Sequence, residues 1–257
     1  MDTSPLELHR GRVHFTERFK YLGGHECADP GEGDIYDCED RVKAAGKVFG
    51  ALRRSIFRDK RISGKVKTRV YVTMVMATLL SACAVWVVTD KMMQRLRVLH
   101  HRCIRSMNRV SLWHTRTHNI RTSELAQRLK GLQPIELYVH RRQLRWFGHL
   151  VRAKGSKMVQ RAAVWRVGDE KRVPGHHRTW GDYMLAKGGP VFKFLAGNGF
   201  KTSQLRDVGL LPGWETRSVH AWHRAAYKLA KNRGTWRHAV NTWRLVGDDV
   251  GGWDEWK

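Results

Sequence analysis

From Val42 onward apolar residues recur every three or four positions, through Ala45, Phe49, Leu52 and Ile56, and this spacing predicts an amphipathic helix. Arg53, Arg54, Arg58, Lys60 and Arg61 gather at its end. Ser63 is placed to cap a second helix, expected to run through Lys65, Lys67 and Arg69 into an uncharged apolar stretch, residues 70–88, and to stop near Thr89. Asp90 is a candidate cap for a third helix, where Met92, Leu96, Leu99, Cys103, Met107 and Val110 form one apolar stripe. Arg95, Arg102, Arg105 and Arg109 fall on another side of it. Thr122 opens a short helix, and Pro134 marks the first turn of a longer one with Leu137, Leu144, Phe147 and Val151 on one face and Arg141, Arg145 and Arg152 on another.

Outside this block the pattern changes. Val13, Phe15, Phe19, Tyr21 and Leu22 alternate loosely with polar residues and predict a short strand or hairpin ended by Gly23 and Gly24. The acidic, glycine-containing residues 26–40 read as a loop. Beyond Ala153 helical spacing weakens until residues 222–246, where Trp222, Ala226, Leu229, Trp236, Ala239, Val240 and Trp243 restore it. The expected fold is mainly α: a basic helical bundle over residues 41–153, a short N-terminal β-hairpin element within residues 1–40, and a looser helical region over residues 154–257.

Charge sharpens that picture. Residues 41–152 carry 25 Lys or Arg against 4 Asp or Glu, within a chain of net charge +25, whereas residues 1–40 carry 4 against 10. Ordinary exposed helix faces mix signs for local pairing, so so one-sided an excess points to a polyanionic partner, nucleic acid first. Apolar content of 42% over 257 residues is enough for a real core. Four scattered cysteines make no disulfide scaffold, and the first 30 residues lack an apolar signal core, which predicts an intracellular location, nucleus or cytoplasm.

Six short elements occur in a telling order: F-K-Y-L-G at residues 19–23, K-R-I-S at 60–63, R-V-Y at 69–71, T-L-L at 78–80, R-L-x-V-x-H-x-R-C at 95–103 and R-x-L-R-W-F-G-H-L-V-R at 142–152. Together they resemble the C-terminal part of non-LTR (LINE-type) retrotransposon reverse transcriptases. A later stretch with Trp222, Asn232, Arg233, Trp236 and Arg237 is similar to their carboxyl ends. The resemblance implies that F-K-Y-L-G follows a catalytic palm and that the basic helices form a thumb gripping template and primer. It also implies that the metal-binding aspartates of two-metal phosphoryl transfer lie upstream of Phe19 and are not in this sequence, and that the chain by itself is not an enzyme. Where the family has a proline in the apolar helix and a Tyr-Gly, Glu-containing sequence before the tryptophan, this chain has Ala77 and then Ser81, Ala82, Cys83, Ala84 and Val85 before Trp86.

Other candidate chemistry is weaker. Asp248 and Asp249 follow Val246 and Gly247 and read as a surface turn rather than a catalytic pair. His25, Cys27 and Cys38 match no standard zinc spacing, so neither metal nor cofactor is expected. His100, His101 and Cys103 are explained by packing and a solvated face, and His176 and His177 by a basic loop, phosphate-contacting or merely exposed. Trp86, Trp222, Trp236 and Trp243 lie on apolar faces and belong to the core, while Trp146, beside Arg145, is open to protein or nucleic acid.

The residues expected to meet phosphates of RNA or an RNA/DNA hybrid are Arg53, Arg54, Lys60, Arg61, Lys65, Arg102, Arg105, Arg141, Arg142 and Arg145. A palm-containing polypeptide is a second expected partner. Two rival readings remain open: a decayed remnant whose helices lack their covering palm, and a single-pass membrane protein. The latter rests on residues 70–88, which at helical rise would span about 28 Å, close to the hydrocarbon thickness.

Overall fold

The acidic stretch ahead of Val42 is helical, contrary to the loop expected there. Asp34, Asp37, Glu39 and Asp40 fall in the first two turns of α1 (Gly33–Leu52), where negative charge complements the helix dipole. The structure is a computed structural model describing residues 6–8, 11–13, 16–21, 24–27, 32–153, 180, 183–184 and 230–242. Within these the fold is mainly α. α1 crosses the boundary expected at residue 40 because these carboxylates are tied to the bundle: Asp37 accepts from Trp86 Nε1 at 2.9 Å, Asp34 from the Val87 backbone N–H at 2.8 Å, and Glu39 pairs with Arg95.

Two antiparallel hairpins precede α1 where one strand or hairpin was expected. Strands β1 (Leu6–Leu8) and β2 (Gly11–Val13) pair with each other, as do β3 (Arg18–Tyr21) and β4 (Gly24–Cys27), with Arg18 opposite Cys27 and Tyr21 opposite Gly24. The second hairpin is fixed to α1 through Asp40, which accepts from Lys20 Nζ at 3.1 Å and bonds His25 Nε2 at 3.0 Å. Arg18 lies over the Tyr36 ring at 4.2 Å.

α1 continues into one π turn, Arg53–Phe57, with the Arg58 N–H bonded to the Arg53 carbonyl at 2.9 Å. Ser63 caps α2 (Gly64–Val70) as expected, accepting from the Val66 N–H at 3.4 Å. A second π turn, Tyr71–Val75, leads into α3 (Met76–Leu79). There the helix stops, ten residues short of the end expected near Thr89. Residues 80–89 fold inward without helix, with Leu80, Cys83, Trp86 and Val88 buried. A buried non-helical backbone needs hydrogen-bond partners, and distant side chains supply them. Arg142 donates to the Leu80 carbonyl at 2.7 Å, and Gln143 Nε2 donates to the carbonyls of Cys83 (3.3 Å) and Trp86 (3.0 Å). The apolar run is therefore divided between helix and loop. Among the described residues no helix is long and apolar enough to cross a membrane.

Thr89, one position before the residue expected, caps α4 (Asp90–Met107) by accepting from the Met92 N–H at 3.3 Å. Met92, Leu96, Leu99, Cys103 and Met107 are buried along its stripe. Then follow α5 (Leu112–Thr117), α6 (Thr122–Arg128), α7 (Ile135–Arg152) and α8 (Arg233–Thr242). Arg97 pairs with Glu136 and joins α4 to α7. In the core the Phe49 and Phe57 rings stack at 4.5 Å, and Tyr71 meets both edge-on.

His100 and His101 are buried, not on a solvated face. His100 Nε2 donates to the Gln133 carbonyl at 3.0 Å, so Nδ1 is left to accept the Tyr71 hydroxyl at 2.9 Å. Burial, and secondarily the neighbouring His101, depress its pKa from 6.5 to about 3. Between those values the unfolded chain binds a proton that the folded chain does not, so stability falls as pH drops below 6.5. By pH 5 this is expected to cost about 2 kcal/mol. Asp34, raised by burial to about 6, works in the opposite sense over the same range. Urea unfolding of the parent and His100→Gln at pH 7.5 and 5 separates the two: the variant is expected to lose the acid-side destabilisation, and equal pH slopes would count against this role.

Candidate nucleic-acid interface

Lys65 and Arg69 stand one helical turn apart on the exposed face of α2, while Lys67 between them is turned inward and buried. Opposite them α7 presents Tyr138, Arg141 and Arg145, three and four positions apart along one face. The turn from α6 into α7 is made by Lys130 at φ 46° and Gly131 at φ 93°, left-handed geometry that glycine adopts without strain. It delivers the Lys130 side chain to the same opening. The resulting cleft has a volume of about 550 Å³ and is lined by Lys65, Arg69, Lys130 and Arg141, with Tyr138 and Asn241.

A second cleft of about 510 Å³ adjoins it, lined by Arg145, His149, Arg152, Arg233 and Arg237. Asn241 of α8 borders both. Its carbonyl accepts from Arg141 Nη2 at 2.9 Å and its side-chain Oδ1 from Arg145 Nη2 at 3.0 Å, so one residue orients the two arginines that join the clefts. α8 is seated by Trp236, buried, whose Nε1 donates to the Leu144 carbonyl at 2.8 Å. A Cβ at Gly148 would collide with that indole, so glycine is what lets the two helices approach. Arg152 Nη1 donates to the Ala230 carbonyl at 2.6 Å, and burial, then the charge of Arg233, lower its pKa.

Among the described residues neither cleft has an Asp or Glu in its lining. Eight guanidinium or ammonium groups thus line the adjoining clefts, a concentration of positive charge whose mutual repulsion a polyanion would relieve.

Of the ten residues expected to contact phosphate, Lys65, Arg141 and Arg145 line this groove. Arg142 does not: it points inward to the Leu80 carbonyl. Arg61 is joined to Asp59 at 2.8 Å, and hydrogen bonds from Arg61 hold that carboxyl at about 2. Arg53 Nε bonds Ser106 Oγ at 3.3 Å, close to Arg105 near the end of α4. Arg54, Lys60 and Arg102 are exposed outside both clefts. The ten residues therefore do not form one surface. Arg69, Lys130, His149, Arg152, Arg233 and Arg237 complete the groove. The four-residue spacings of Lys65 with Arg69 and Arg233 with Arg237 were visible signals, but their alignment across space was not.

Trp146 is half-buried and stacks on His149 at 5.3 Å. Trp86 and Trp236 are core residues, as expected. Cys38 is buried, and His25 bonds Asp40. Among the described residues no group of three or more His, Cys, Asp or Glu is arranged to hold a metal ion. Phe15, Leu22, His176, His177, Trp222, Trp243, Asp248 and Asp249 lie outside the described residues. No protein-family model, curated protein or solved structure matches the chain.

Proposed function

We propose that this chain is a nucleic-acid-binding module that holds the sugar-phosphate backbone of RNA or an RNA/DNA hybrid in the groove between α2 and the α7–α8 pair. The observation that carries the reading is the pair of adjoining clefts lined by Lys65, Arg69, Lys130, Arg141, Arg145, Arg152, Arg233 and Arg237 and, among the described residues, by no acidic one. The six ordered motifs add the second half of the proposal, that the module serves as the thumb-like part of a LINE-type reverse transcriptase and works beside a palm carried elsewhere. In this reading the chain acts in the nucleus or cytoplasm by clamping, without polymerase chemistry of its own.

Contacts to phosphate set affinity without reading sequence, and each displaces a condensed counterion. If about six phosphates are engaged, affinity for a hybrid is expected to fall by about three decades between 50 and 200 mM salt. Fluorescence anisotropy with a labelled RNA/DNA hybrid, at several salt concentrations and for two unrelated sequences, measures this. The expected outcome is a steep salt dependence shared by both sequences. Binding that is flat over that range, or confined to one sequence, would remove the clamp.

A further inference from the structure

The corner made by the end of α4, α5 and the approach to α6 has a surface that the groove does not use. Residues 91–123 contain eight Lys or Arg and no Asp or Glu. On α5, Trp113 is 71% exposed and Leu112 beside it 47%. An indole is large and mostly apolar, and leaving one in water forfeits the burial that usually holds tryptophan inside. Arg116 follows three positions later, on the same side of the helix. Arg109 is exposed and held at φ 60° between α4 and α5, which turns the chain at this corner. Arg105 of α4 is half-buried nearby, and burial, then the charge of Arg116, lower its pKa, the response of cations crowded without a carboxylate between them. His114 and His118 of the same corner have their ring centroids 4.1 Å apart.

We propose that this corner is a binding site for single-stranded nucleic acid, in which an unpaired base stacks on the exposed face of Trp113 while Arg105, Arg109 and Arg116 hold the flanking phosphates. An aromatic platform among cations is the arrangement that single strands require: the base offers a π-face whatever its identity, and the backbone supplies the negative charge. An apolar protein contact is a poorer fit, because the centre of such an interface is depleted in charge, whereas this segment carries eight Lys or Arg and no Asp or Glu. The site is distinct from the duplex groove, since Trp113, Arg105, Arg109 and Arg116 line neither cleft. It stands whether or not the groove binds a duplex.

The test uses the full chain and an oligothymidylate of about eight nucleotides with 2-aminopurine at its centre, whose fluorescence is quenched on stacking. Wild type is expected to bind and quench. Trp113→Ala is expected to weaken binding about 5- to 100-fold and abolish the quench, and Trp113→Phe to retain most of both. Because Trp113 is so exposed, both variants are expected to melt as wild type does. The groove variant Lys65→Glu/Arg69→Glu is expected to bind this single strand normally, whatever it does to a hybrid. Unchanged affinity and quenching in Trp113→Ala would overturn the proposal. If that variant instead lost only a concentration-dependent self-association, seen by sedimentation, Leu112 and Trp113 would belong to a protein contact and the proposal would likewise fall.

Discussion

Reversing the charge of Lys65 and Arg69 together is expected to lower affinity for an RNA/DNA hybrid about 100-fold near 0.1 M salt, roughly tenfold per residue. Both side chains are exposed on the face of α2 that opens into the first cleft, so each reversal removes an attraction and installs a repulsion at the same place. The slope of log affinity against log salt should shrink by about two contacts' worth. Stability should hold, because both side chains are exposed, the Ser63 cap is untouched, and a carboxylate at position 65 lies in the first turn of α2, where the dipole favours it. Anisotropy titrations, with a melting curve as control, read both quantities. A double variant that melts normally and binds within twofold of wild type would place the polyanion elsewhere.

Trp236→Ala is the second large effect, and it acts through α8. The indole is buried to within 2% of its surface, donates to the Leu144 carbonyl and packs beside Phe147 at 5.7 Å. Truncating a buried tryptophan typically costs about 3–5 kcal/mol, enough to detach a ten-residue helix. α8 would then take Arg233 and Arg237 out of the second cleft and leave Arg141 and Arg145 without the Asn241 acceptors that orient them. The expected result is tryptic cleavage after Arg233 and Arg237 under conditions where wild type resists, and a hybrid affinity lowered about tenfold or more. Gly148→Val reaches the same state from the other helix, by filling the space that the indole occupies. Resistance to trypsin with unaltered binding in both variants would show that α8 is not part of the groove.

How far the sequence discloses this architecture depends on how local each cause is. The stripes of α4 and α7 and the Ser63 cap are properties of one segment, and periodicity finds them. The course of residues 80–89 is not local. Apolar spacing continues through them, and the helix ends only because Arg142, Gln143 and Asp34, from helices far apart in sequence, satisfy the backbone of a buried loop. Charge misled in two places for the same reason. An acid-rich, glycine-bearing stretch suggests a loop, yet Asp34 and Asp37 are helix residues held by Val87 and Trp86. Arg142 stands among arginines that face the groove, but one position of helical rotation from Arg141 aims it at the carbonyl end of α3. His100 shows the same limit, since nothing beside it in sequence announces that Tyr71 and Gln133 will enclose it.

The groove itself was half legible. A one-sided excess of cations over residues 41–152 suggested the class of partner proposed for it, and Lys65, Arg141 and Arg145, which it singled out, line the groove. Lys130 depends on a left-handed turn, and Arg233 and Arg237 on how Trp236 seats against Gly148, so neither is readable from charge alone.

Lysine footprinting by mass spectrometry locates the bound strand most directly. The chain is acetylated briefly with and without a saturating RNA/DNA hybrid, and each lysine's modification is compared. The groove predicts that Lys65 and Lys130 are strongly protected by the hybrid while Lys47 on α1 and Lys91 on α4, exposed outside both clefts, react at unchanged rates. Equal reactivity of Lys65 and Lys130 with and without the hybrid, or protection confined to Lys47 and Lys91, would contradict it.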